Sequence, residues 1–94
     1  MFVLHVEMQV KLGAEQELEK TYSETFRPAI SQQEGFRAVE LLRPLEEAKN
    51  YVLTILFEDR ARQQKWVATD LHQRVWSQME SFFAGYAVKS YDTV

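Results

Sequence analysis

The stretch YVLTILFE, residues 51–58, carries large apolar side chains at Tyr51, Leu53, Ile55 and Phe57, and its other register offers Val52 and Leu56 with Thr54 between them. A segment of this length that is apolar on both faces reads as a central strand covered from two sides. The N-terminal stretch FVLHVEMQV, residues 2–10, behaves differently: Phe2, Leu4, Val6, Met8 and Val10 fall on one face, and Val3, His5, Glu7 and Gln9 on the other. That period of two predicts a half-buried strand.

Between the two strands the period changes. After Gly13, Leu18, Tyr22, Phe26, Ala29 and Ile30 recur every three or four residues, and Glu and Gln fill the opposite side. The spacing predicts an amphipathic helix over residues 14–33, kinked or restarted at Pro28. Glu34-Gly35 stops it, FRAVELLR (residues 36–43) follows as a strand, and the polar run PLEEAKN (residues 44–50) connects to the central strand. Residues 59–84 read as helical, with Leu71, Val75, Met79 and Phe82 in one stripe and His72, Trp76 and Phe83 beside it. The Thr69-Asp70 pair predicts a break, with Asp70 capping the second helix. Gly85 is read as the helix stop, and YAVKSYDTV (residues 86–94) as a fourth strand.

The order is β-α-β-β-α-β within a single domain, residues 1–94. This is the ferredoxin-like α+β plan, a four-stranded antiparallel sheet with both helices on one face. The second sheet face is left without cover, and its apolar positions, taken as Val39, Leu41, Val52 and Leu56 or their opposites, predict a homodimer formed through the open sheet face.

Composition narrows the function. The 94 residues are 46% hydrophobic and 13% aromatic, enough for a packed core, while a domain of this size gains from oligomerisation. A formal net charge of −3 without a basic stripe excludes the usual nucleic-acid footprint, and YVLTILFE lacks the Gly, Lys and Arg that an RNA-recognition third strand requires. The absence of cysteine removes thiolate metal sites, disulfides and cysteine nucleophiles. Two histidines, His5 and His72, with no third ligand make a poor metal site. No apolar run approaches the roughly 20 residues of a membrane span, and the N-terminus reads as a strand and not a signal peptide, so a cytoplasmic protein is expected.

EGFRAVELLRP (34–44), NYVLTILFEDRARQQKW (50–66), His72 and the terminal SYD (90–92) together resemble the antibiotic biosynthesis monooxygenase family over essentially the whole chain. The resemblance implies a dimeric α+β barrel. It also implies an activity, the cofactor-independent oxidation by O₂ of a small phenol- or quinol-type aromatic, with no cofactor required. Such chemistry needs an ionised phenol held in a dry, aromatic-walled cavity, with a base or hydrogen-bond partner and donors for the developing oxyanion. His72 is the candidate catalytic residue, as base or hydrogen-bond partner, because the imidazole titrates near neutrality. Trp66, Tyr22, Phe26 and Trp76 are the candidate substrate-binding walls, and Arg37, Arg43, Arg60, Arg62 and Arg74 are read as surface residues. The alternative from another class is a non-catalytic ligand-binding or structural dimer.

The family also has a haem-degrading branch. Trp66 matches a pocket Trp of that branch, but the position ten residues later, where the branch places its iron-ligating His, is Trp76 here, and no Asn occurs in residues 2–10. Haem degradation would require His72 to take over ligation from one turn earlier on the helix.

Overall fold

A computed structural model describes residues 1–46 and 50–94, so Glu47, Ala48 and Lys49 of the polar connection lie outside the described residues. Four strands, β1 (Phe2–Val10), β2 (Phe36–Leu42), β3 (Tyr51–Phe57) and β4 (Phe83–Asp92), form one antiparallel sheet in the order β2-β3-β1-β4. The helical segments are α1 (Glu15–Thr21), a π-helical turn (Tyr22–Phe26), α2 (Arg27–Ser31), α3 (Arg60–Val67) and α4 (Asp70–Glu80). This is the ferredoxin-like arrangement, and the doubly apolar β3 takes one of the two central places, beside β1.

The strand faces divide as the alternation requires. Phe2, Leu4, Val6 and Met8 of β1 are buried, and they share their face with Tyr51, Leu53, Ile55 and Phe57 of β3. Leu18, Phe26, Ile30, Trp66, Val75 and Met79 close the core from the helical side. Full burial of a Leu, Phe or Met side chain stabilises by about 1.5–3 kcal/mol, so this single layer contact between helices and sheet holds the domain together. The pairing also settles the open face. Val39 and Leu41 lie opposite Ile55 and Leu53 and so turn toward the helices, contrary to one of the two registers expected for them. The open face instead carries Ala38, Glu40 and Leu42 of β2, Val52, Thr54 and Leu56 of β3, Val3, His5 and Glu7 of β1, and Ala87, Lys89 and Tyr91 of β4. His5 meets the edge of Tyr91 there, with ring centroids 5.3 Å apart.

Three local expectations are corrected. The first helix restarts before Pro28, not at it: the Arg27 amide donates to the Tyr22 carbonyl in a π-type bond, and Pro28 then occupies the first turn of α2, where its missing N–H costs least. The cap of α4 is Thr69, whose extended backbone (φ −82°, ψ 152°) lets its hydroxyl accept from the His72 amide, and Asp70 is the first helical residue. Gly85 does not stop the helix. Helix α4 ends at Glu80, and Gly85 lies inside β4 opposite Gln9, next to a register shift that leaves Ala84 between the paired residues Phe83 and Gly85. Gly35, by contrast, does require glycine: its φ is +80°, and a Cβ there would lie 2.2 Å from the Arg62 Cδ.

Candidate functional site

Helix α3 is capped by the Asp59 carboxylate, which accepts from the Arg62 amide at 2.9 Å. It presents Arg60, Gln63, Gln64 and Val67 in one stripe at the spacing of a helix face. The chain then bends through Ala68 and Thr69. The Thr69 hydroxyl donates to the Trp66 carbonyl at 2.7 Å and accepts from the His72 amide at 3.1 Å, so one side chain fixes the end of α3 against the start of α4. The bend brings the His72 ring edge-on to Trp66, centroids 5.1 Å apart and planes at 89°. One turn later Trp76 lies nearly parallel to His72, at 6.3 Å and 14°.

These rings line a cavity of about 370 Å³ between α3, α4 and the helix-side face of β1 and β4. That volume falls at the lower end of the roughly 300–1,000 Å³ typical of small-molecule sites. Phe26, delivered by the π-helical turn, packs 6.5 Å from Trp66 and 6.0 Å from Trp76. Phe2, Leu4, Val6 and Ile55 supply the apolar floor. Tyr86, Val88 and Ser90 form the wall on β4; Tyr86 and Val88 are 45% and 51% exposed because the helices cover this edge strand only in part. Tyr86 meets Trp76 edge-to-face at 5.5 Å.

Of the residues singled out in the sequence, Phe26, Trp66, His72 and Trp76 therefore surround one space. Tyr22 does not line it. Its ring contacts Phe26, but its hydroxyl donates to the Val39 carbonyl at 3.3 Å, on the β2 side of the domain. Burial pushes the Tyr22 phenol above its ordinary pKa. Residues that the sequence reading passed over contribute as much: Tyr86, Val88 and Ser90 follow the period-two rule once β4 is registered against β1, and the α3 stripe brings Gln63 and Arg60 to the cavity. Arg60 was expected only at the surface. It is exposed and lines the cavity as well.

His72 is the chemically distinctive group. Its Nδ1 is buried and has no hydrogen-bond partner, and burial lowers its pKa below the ordinary value of 6.5. The imidazole is thus neutral at neutral pH. A proton on Nδ1 would be a buried donor without an acceptor, which favours the tautomer protonated at Nε2. The ring then offers a hydrogen-bond donor, and taking up a second proton is costly because it would place an orphan N–H at Nδ1. No cluster of three or more His, Cys, Asp or Glu side chains suited to a metal ion occurs among the described residues. No helix of the described residues is long and apolar enough to cross a membrane.

Comparison with solved structures shows where this architecture recurs. A point mutant of SnoaB from Streptomyces nogalater, described as a cofactor-independent oxygenase, superposes with a TM-score of 0.87 at 17% identity, covering 98% of this chain and 91% of that one. A putative antibiotic biosynthesis monooxygenase from Caulobacter crescentus CB15 gives 0.86 at 18% identity, covering 99% and 89%. A point mutant of MhuD, solved with two manganese protoporphyrin IX molecules per active site, gives 0.82 at 23% identity, covering 100% and 95%. At these identities the likeness establishes the fold alone. A search of curated proteins by sequence found no significant match. The family model described as antibiotic biosynthesis monooxygenase matches residues 1–77, which includes the Trp66–His72–Trp76 segment, and the chain belongs to that family.

Proposed function

We propose that the protein is a cofactor-independent monooxygenase that oxidises a small phenol- or quinol-type aromatic with O₂ in the cavity of Trp66, His72, Trp76 and Phe26. The observation that carries this reading is the coincidence of an aromatic-walled space of about 370 Å³ with a neutral, half-buried imidazole on its wall. An aromatic slot of this kind excludes water from a bound ring and leaves its faces open to O₂. His72 serves as hydrogen-bond partner more readily than as base: its Nε2–H stabilises the phenolate, whose proton is released to solvent on binding. The phenolate gives electrons to O₂, a C–O bond forms at an activated ring carbon, and loss of water from the hydroperoxide leaves a quinone. One phenol and one O₂ thus yield one quinone and one water.

O₂ uptake measured against a panel of phenols, quinols and anthrone-type substrates tests the reading. Turnover of at least one class is expected, with a rate about 10²-fold lower in His72→Phe, the scale of losing one oxyanion donor, and largely kept in His72→Gln, whose amide can still donate. An unchanged rate in His72→Phe would remove His72 from the chemistry. Absence of O₂ uptake with tight ligand binding would leave the non-catalytic binding dimer. Haem binding is the reading that the likeness to MhuD raises. A hemin titration that gives no Soret shift, or an equal shift in His72→Ala, dismisses His72 as an iron ligand.

The same reading includes a homodimer through the open sheet face. Val3, Val52, Leu56, Leu42 and Tyr91 on that face support it, with Leu42 46% and Tyr91 49% exposed in the single chain. Sedimentation as a monomer at micromolar concentration would refute it.

A further inference from the structure

We infer that the ligand of this cavity is an aromatic acid, a planar one- or two-ring compound whose carboxylate is held at the cavity mouth by Arg60 while its ring oxygen meets His72. The inference rests on the proposed ligand site and adds the charge and length of what occupies it.

The first argument is electrostatic. The cavity lining contains one side chain that is charged at neutral pH, Arg60, and no carboxylate. Arg37, Arg43 and Arg62 are each in an ion pair with a glutamate or aspartate, whereas Arg60 has no carboxylate within ion-pairing distance among the described residues. Asp92, paired with Phe2 on the same sheet face, does not come within that distance. The Arg60 guanidinium instead lies 5.7 Å from the centroid of Phe2, itself a lining residue. A cation over an aromatic ring is only partly compensated, and it keeps its planar fork of N–H donors free for a bidentate partner such as a carboxylate.

The second argument is geometric. Arg60, Gln63, Gln64 and Val67 occupy one face of α3, so the lining changes along the helix from cationic, through two amides, to apolar. Arg60 is exposed, and Trp66, six residues further on, is buried with 2% exposure. Six residues of helix rise about 9 Å, which separates a wet, cationic mouth from a dry, aromatic interior by the length of one or two fused rings bearing a group at each end. The inner end carries the neutral His72 donor, and both ends therefore suit negative oxygens. A cavity at the lower end of the usual ligand volumes favours such a compound over a larger polycycle.

Calorimetric titration separates this inference from the site reading beneath it. The probes are a hydroxynaphthoate with its two groups at opposite ends, the methyl ester of the same compound, and naphthol. The acid is expected to bind about tenfold tighter than the ester or naphthol, the scale of a charge-assisted hydrogen bond, and to lose that margin in high salt. Arg60→Gln, a substitution at an exposed position, should abolish the margin, so that acid, ester and naphthol bind alike. Equal binding of acid and ester, or an acid preference that survives Arg60→Gln, overturns the anionic ligand and leaves the aromatic site standing. Failure of all three probes to bind overturns both.

Discussion

Removing the Thr69 hydroxyl is the sharpest test of how the site is built. That oxygen makes two bonds at the α3–α4 bend, donating to the Trp66 carbonyl at 2.7 Å and accepting from the His72 amide at 3.1 Å. Loss of an N-cap costs about 1 kcal/mol, and the stranded Trp66 carbonyl keeps only the Thr69 amide at 3.1 Å, so Thr69→Ala should destabilise by about 1.5 kcal/mol. In a domain of this size that corresponds to a Tm lower by roughly 6–10 °C. Asp70→Ala gives the contrast, because Asp70 accepts no capping bond and contributes only its charge near the helix N-terminus, worth about 0.3–0.5 kcal/mol. Thr69→Ser should stay within about 0.5 kcal/mol of wild type, since its hydroxyl can make both bonds. Urea denaturation of the four proteins at neutral pH measures these differences. Tryptophan fluorescence follows the site itself, since Trp66 and Trp76, the two tryptophans of the chain, both line the cavity. An Asp70→Ala loss equal to or larger than that of Thr69→Ala would refute the assignment of Thr69 as the cap and the account of the bend built on it.

Further perturbations separate packing from site. Met79→Ala, at a core side chain with 0% exposure, should cost about 2–5 kcal/mol in chemical denaturation. Tyr22→Phe should lose no more than about 1 kcal/mol and leave ligand affinity unchanged, because the hydroxyl bonds to Val39 and not to the cavity; a large loss of affinity would contradict that placement. The Glu19 carboxyl is held down to about 2, first by its hydrogen bond from Arg43 and then by that from Tyr51. A lowered carboxylate pKa adds stability that is fully present above the unfolded value of about 4.5 and is lost as pH falls through about 2, so Glu19→Gln should flatten the stability profile between those limits. Tyr51, raised to about 12 by burial and by the same carboxylate, should still show a protonated phenol in ultraviolet titration at pH 11.

Strand faces were legible in the sequence because a period of two leaves no ambiguity once one face is apolar. Phe2, Leu4, Val6 and Met8 are buried as their alternation demands, and the doubly apolar β3 is central. Helix ends were less legible. Gly85 looks the same in sequence whether it closes a helix or follows a bulge, and only pairing with Gln9 decides between them. Thr69 and Asp70 are both good caps, and the choice between them rests on which residue takes the extended backbone. Tyr22 and Phe26 share a helical stripe, yet the π-helical turn between them sends one hydroxyl to β2 and the other ring to the cavity, which no regular periodicity anticipates. Arg60 was read as a surface residue because a charged residue at a helix start reads as solvated, and its place on the cavity rim depends on how α3 lies against β1.

The cavity is a consequence of the bend, not of any residue that surrounds it. A single straight helix over residues 60–80 would carry Trp66 and His72 six positions apart, and six residues at 3.6 per turn leave two side chains about 120° apart around the axis. Side chains so placed on one straight helix are not neighbours and their rings would not touch. The extended backbone at Thr69 breaks that phase, and the two rings meet at 89° and 5.1 Å. With α4 redirected, Val75 and Met79 still reach the core. The helix-side face of the edge strand β4 is covered by Trp76 at Phe83 and Tyr86 but not beyond, which is why Val88 stays 51% exposed on the same face as the buried Val6. The space above it is walled on the helical side mainly by Trp66, His72, Trp76 and Phe26. If the bend exists to hold this space open, then filling it from the wall with Val88→Trp should raise stability by adding apolar contact while abolishing binding of every aromatic probe. A variant that is stabilised and still binds would mean that the ligand sits elsewhere.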